Sequence, residues 1–206
     1  AGVTLSEIDQ VVFYEKPFVK FERMLLTAMA TFPRSLPVFR ESMQRWISDK
    51  LWIKPMMCRE LGVPRSKLLF ADHHMSHAAS SYYTSPFEES AILTVDGAGE
   101  WTTSTMGIGR GNKIEIVKEM RFPHSLGLLY SAFTAYCGFE INEGEYKLMG
   151  MHPYGEPRYV DQIFELLKVD DDGSVWQNMD YFSYHWSTDD TLSPAFEKHF
   201  GRPRRD

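Results

Sequence analysis

The stretch that decides the reading of this chain runs His73-His74-Met75-Ser76-His77-Ala78-Ala79, through Ser85-Pro86-Phe87-Glu88-Glu89, into Ala91-Ile92-Leu93-Thr94-Val95-Asp96-Gly97-Ala98-Gly99-Glu100. Asp72 is placed to cap a helix over residues 73–83, and Ser85-Pro86 ends it. Residues 91–95 form an apolar run of strand length. His73 and His77 are spaced i,i+4, which puts both imidazoles on one helix face about 6 Å apart at the base, within reach of a shared cation. His74 points off that face, toward a supporting or solvated position. Asp96 closes the strand and is followed at once by Gly97 and Gly99, an arrangement that α/β folds use to hold ions and phosphates.

Spacing alone is weak support for a metal. Seven histidines in 206 residues place about 0.2 pairs at i,i+4 by chance, and a plain helix with locally bonded histidines reads the same way. Asp96-Gly97 is also good chemistry for a tight turn. The three residues together carry more weight, because two histidines and a carboxylate leave coordination positions open, as a working rather than a structural metal requires.

Outward from this centre, residues 6–10 suggest a short helix and 11–14 a strand. Helical spacing follows over 18–31, 37–51 and 55–62, where Gly62 can supply a left-handed cap. Residues 67–71 read as a strand. Downstream, 102–108 and 113–121 alternate as a hairpin turning at 109–112. Ser125 caps an apolar helix that ends at Gly138. A helix starts within 143–150, an amphipathic helix covers 158–168, and the turn Asp170-Asp171-Asp172-Gly173 leads to a strand over 174–177. The whole predicts a mixed α/β domain with an antiparallel component. Tyr82, Tyr83 and Phe87 read as core.

Composition is that of an ordinary globular protein, with 43% hydrophobic and 24% charged residues. A net charge of -6 lacks the basic footprint of a general nucleic-acid binder, so phosphate binding would need a local pocket. Cys58 and Cys137 have no CxxC partner and read as buried free thiols. No run reaches membrane-span length, and no leader-like pattern opens the chain. A cytoplasmic protein with a small-molecule partner is expected, without nucleic acid or membrane. The start without methionine and the charged end Arg202-Pro203-Arg204-Arg205-Asp206 suggest a piece of a longer protein.

Lys147, between Gly144 and Gly150, can approach a phosphate as a point charge, although a helix-surface lysine looks the same. Gly97 and Gly99 permit close backbone approach to phosphate oxygens, and Thr102 or Thr103 could add hydroxyl donors.

Taken together, His73-His74-Met75-Ser76-His77-Ala78-Ala79-Ser80, Leu93-Thr94-Val95-Asp96-Gly97-Ala98-Gly99-Glu100-Trp101, Phe122-Pro123-His124-Ser125-Leu126-Gly127-Leu128-Leu129-Tyr130 and Gly144-Glu145-Tyr146-Lys147-Leu148-Met149-Gly150 resemble the carbamoyltransferase family of nodulation-factor and antibiotic O-carbamoyltransferases. The match extends from about residue 8 to 204. It implies part of an actin-like ATPase fold, of the threonylcarbamoyl-transferase-like variant, with a mixed sheet and flanking helices. Residues 1–206 would be one partial domain, an internal piece of the N-terminal domain, with the C-terminal domain absent.

The resemblance further implies that carbamoyl phosphate and ATP form a carbamoyl adenylate, which carbamoylates a hydroxyl of a sugar or antibiotic-like acceptor. His73, His77 and Asp96 fall on the family's ligands for iron or zinc. Gly97, Gly99, Glu100, Thr102, Thr103 and Lys147 fall to cofactor binding. An earlier phosphate loop with another histidine, a later aspartate ligand, a nucleotide loop and C-terminal arginines belong to the family pattern and have no counterpart here. This piece alone is therefore expected to be weak or inactive. His152 stands where the family more often has alanine. A small-molecule kinase on the same scaffold and a non-catalytic nucleotide-binding lobe are the competing readings.

Overall fold

The computed structural model describes residues 2, 4–48, 50–188 and 190–204; Asp49 of the expected second helix and Arg205 and Asp206 of the charged end lie outside them. Strand β1 (Val11–Phe13) pairs in parallel with β2 (Leu68–Phe70), Val11 opposite Leu68. Helices α1 (Pro17–Ala30), α2 (Leu36–Ser48) and α3 (Ile53–Leu61) fill the interval between them. Pro17 takes the first turn of α1, where a missing N–H costs nothing. Gly62 ends α3 at φ +65°, the left-handed cap expected of it.

Helix α4 (His73–Tyr82) follows, then β3 (Glu89–Val95), β4 (Thr102–Arg110) and β5 (Lys113–Arg121), ordered β3-β4-β5 in one sheet. After them come α5 (Leu126–Tyr136), α6 (Glu145–Met151), α7 (Val160–Leu166), β6 (Leu167–Val169), β7 (Val175–Gln177) and α8 (Pro194–Phe200). The helix expected over 158–168 is shorter than its pattern, because Leu167 leaves it to pair antiparallel with Gln177. The architecture is mixed α/β, as the sequence predicts.

The chain divides into two compact units. The first comprises residues 1–94, 99–101 and 106–117, and the second 95–98, 102–105 and 118–206. In the first, Ala78 and Tyr82 of α4 pack with Ile92 of β3, flanked by Ile114 and Ile116. The Tyr82 ring lies so close to β4 that a Cβ on Gly109 would stand 2.5 Å from it. Its hydroxyl donates to the Glu88 and Gly111 carbonyls. Tyr83 and Phe87, expected in the core, are exposed instead; only Tyr82 faces the sheet. The cysteines are likewise half-buried rather than buried.

The second unit is built on Ala132 of α5, Leu166 of α7, Phe182 and Phe196 of α8. Phe196 is fully buried, with the rings of Phe133, Tyr136 and Phe200 within 5.3 Å of its own. No periodic pattern marks residues 178–200 in the sequence, yet they supply half of this core.

Candidate metal centre

The two histidines that share a helix face in the sequence do so in the structure. Their Nε2 atoms are 3.1 Å apart, and the rings stand nearly perpendicular with centroids 4.6 Å apart. Two nitrogens bound to one zinc-like ion at about 2.1 Å each are separated by about 3.3 Å. The pair is therefore already spaced as ligands of one cation are. His74 is not solvated: it is 3% exposed, and its Nδ1 lies 2.6 Å from the Thr94 hydroxyl. That bond ties the first turn of α4 to β3.

Helix α4 is not capped as its sequence suggests. Asp72 occupies the N-cap position without a side-chain cap bond, because its carboxylate pairs with Lys16 at 2.8 Å. The cap comes from Glu100, 27 residues further on, whose carboxylate oxygens accept the His73 N–H at 3.1 and 3.3 Å. One of them also accepts the Lys16 N–H at 2.6 Å. Glu100 is 6% exposed. The Arg23 guanidinium donates to the Gly99 carbonyl beside it. Burial lowers the Arg23 pKa, and the carboxylates of Glu100 and Glu15 oppose that shift. Gly99 packs directly on the histidines: a Cβ there would stand 2.9 Å from the His73 Cβ and 3.2 Å from the His74 Cδ2.

In the second unit, Asp96 follows the last residue of β3. Its N–H donates to the Thr103 carbonyl, and its Oδ1 accepts the Gly97 N–H at 2.7 Å. The buried Ser125 hydroxyl, N-cap of α5, accepts the Leu128 N–H and faces the carbonyl oxygens of Asp96 and Gly97 at 3.1 and 2.7 Å. Ser125 is held in turn by Gln177, whose Oε1 accepts the Ser125 N–H and whose Nε2 donates to the Ser125 carbonyl. The Tyr184 hydroxyl donates to the same Gln177 oxygen, and burial pushes its pKa well up. In the sequence Gln177 is only the end of a strand. Nothing local in its sequence marks it as a partner of Ser125.

Of the residues expected to bind cofactor, Thr103 is fully buried and its hydroxyl faces the Met120 and His124 carbonyls. Its donor is thus engaged inside the protein. Thr102 donates to Glu119. Lys147 lies exposed on α6, with its ammonium 5.8 Å from the Tyr146 ring centre. A Cβ on Gly97 would stand 3.6 Å from the Leu128 side chain, in ordinary contact. His73 and His77 in the first unit offer imidazole donors and Asp96 in the second offers a carboxylate, the donor types that hold a metal ion.

A family model, the carbamoyltransferase N-terminus, matches residues 1–205, and the chain belongs to that family. Among relatives, the Synechocystis protein sll1178 is 50% identical across the whole chain, which spans 34% of that protein. Nodulation protein NolNO of Sinorhizobium fredii is 34% identical over 81% of the chain and 24% of its own length. Nodulation protein NolO of Bradyrhizobium diazoefficiens is 34% identical over 53% of the chain and 20% of its length. The chain thus spans about a third or less of the relatives it matches. Among the described residues, no helix is long and apolar enough to cross a membrane.

Proposed function

We propose that the protein containing this chain is a metal-assisted, ATP-dependent O-carbamoyltransferase. Carbamoyl phosphate, ATP and water yield a carbamoyl adenylate, phosphate and pyrophosphate. An acceptor hydroxyl of a sugar or antibiotic-like molecule then attacks the carbamoyl carbon, and AMP leaves. The observation that carries this reading is the His73–His77 pair, with Nε2 atoms 3.1 Å apart, in a chain matched by the carbamoyltransferase family over residues 1–205.

His73, His77 and Asp96 are the protein's ligands for one iron or zinc ion in this reading, and the donor set suits either. When bound, the cation supplies Lewis-acid stabilisation to the oxyanion that develops in carbamoyl transfer. The chain's own residues do the rest. Each imidazole offers an Nε2 lone pair to the cation in this reading. Lys147, exposed on α6, can meet a phosphate oxygen as a point charge. The corresponding fold is part of an actin-like ATPase, and the setting is the cytoplasm.

Pyrophosphate release in the intact protein tests the proposal. Release is expected only when carbamoyl phosphate and ATP are both present, and a panel of hydroxylated acceptors then shows which hydroxyl takes the carbamoyl group. The double substitution His73→Ala with His77→Ala should lower release by roughly a hundredfold or more and strip the bound metal. Full activity in that variant defeats the metal role. A product heavier by a phosphate instead of a carbamate replaces the reading with a kinase.

A further inference from the structure

We infer that Glu100 is a positioning residue for the histidine pair: it fixes the first turn of α4 so that His73 stays in register with His77. The inference rests on the metal reading above and concerns a residue that the sequence places with cofactor binding.

His73 is the first residue of α4, a helix of 10 residues. First turns fray, because their N–H groups lack partners within the helix. A neighbouring aspartate would ordinarily hold such a turn, but Asp72 makes no cap bond and is drawn away to Lys16. His77 lies one turn further in, where the helix holds itself. Without another partner, His73 would therefore move relative to His77 and the 3.1 Å nitrogen spacing would be lost part of the time. Chelation tolerates only about half an ångström of such motion.

Glu100 supplies what Asp72 does not. Both of its carboxylate oxygens reach the His73 N–H, and one also takes the Lys16 N–H. A carboxylate at a helix N-terminus is favoured by the helix dipole as well as by the bonds. The bonds are shielded from water, since Glu100 is 6% exposed. Its neighbour Gly99 is pressed against the His73 side chain, where a Cβ would come within 2.9 Å of the His73 Cβ and 3.1 Å of its Cδ2. Tyr14 bounds the same ring at 5.7 Å between centroids. Backbone, Cβ and ring of His73 are thus each fixed from a different direction. Such outer-shell contacts commonly set metal affinity by tenfold to a hundredfold.

The test is a cobalt(II) titration of the intact apo-protein, followed by the visible d–d absorption, for wild type, His77→Ala, Glu100→Gln and Gly99→Ala. An amide at position 100 keeps one acceptor oxygen and turns a donor toward a backbone N–H, so the grip on His73 fails while shape is kept. Glu100→Gln is expected to weaken cobalt binding about tenfold or more, with altered band intensities and an unchanged far-UV circular dichroism spectrum. A purely structural role would lower the melting temperature and leave affinity, measured well below melting, at the wild-type value; that result overturns the inference. If Glu100→Gln does not fold, Gly99→Ala decides, because its methyl group displaces His73 with the carboxylate intact. Weakened cobalt binding there supports the inference, and wild-type affinity overturns it. A wild type that takes up no cobalt, or a His77→Ala protein that binds as well as wild type, defeats the metal reading itself and is told apart from failure at Glu100 alone.

Discussion

The same substitution, glycine to alanine, should have opposite signs at two helices of the second unit. Gly150 lies in α6 with nothing within 4 Å of where a Cβ would go. Gly127 lies in the first turn of α5, and a Cβ there would stand 2.5 Å from the carbonyl carbon and oxygen of Asp96 and 2.6 Å from the Gly97 nitrogen. Alanine gains up to about 1 kcal/mol over glycine in a helix from propensity. At Gly150 nothing opposes that gain, and Gly150→Ala is expected to stabilise by about 0.5 kcal/mol.

At Gly127 the opposing atoms are backbone, so no rotamer change relieves the clash. Relief requires moving the Asp96-Gly97 peptide by about 1 Å. That peptide is held by the Gly97 N–H on the Asp96 Oδ1 at 2.7 Å and by the Ser125 hydroxyl at 3.1 Å from the Asp96 oxygen. Overpacking costs about 1–3 kcal/mol, and weakening two buried hydrogen bonds adds about 1 kcal/mol. Set against the propensity gain, Gly127→Ala should destabilise by about 2 kcal/mol. In urea, with m near 2–3 kcal/mol per molar, the midpoint should fall by about 0.7–1 M. Gly150→Ala should rise slightly. A Gly127→Ala midpoint at or above wild type, with m unchanged, would refute the close approach of α5 to the Asp96 turn.

Other expectations are equally direct. Phe196→Ala should cost about 3–5 kcal/mol, read as a thermal or urea shift, because it empties the centre of an aromatic cluster; Phe87→Ala, 63% exposed, should cost under about 0.5 kcal/mol. His124 accepts the Gln177 N–H at Nδ1, and burial lowers its pKa below the ordinary 6.5. The folded state thus disfavours its protonation, so this contribution to stability is whole above pH 6.5 and is lost as pH falls below it. His124→Gln should flatten the fall in urea midpoint between about pH 7 and 5.5, and an identical slope in the variant would sink the assignment.

What the sequence discloses and what it hides divide along one physical line. The i,i+4 histidines, the capping Ser125, the left-handed Gly62 and the apolar run into Asp96 are legible because each depends on neighbours within one turn or one strand. Asp72 looks like a cap by the same local logic and fails, since Lys16, 56 residues away, offers its carboxylate a better partner. Glu100 and Gln177 are invisible as supports because their partners stand 27 and 52 residues distant, and no local periodicity encodes such a pairing. Phe182 and Phe196 are hidden for a related reason: they enter a core from irregular chain and a short helix, where burial is set by tertiary packing alone. The ligand types of the candidate site are therefore written locally, whereas the groups that hold those ligands still come from distant chain. A variant search confined to the histidine and aspartate motifs would miss Glu100 and Gln177, and those are the positions where a mild substitution should loosen the site with its donor atoms unchanged.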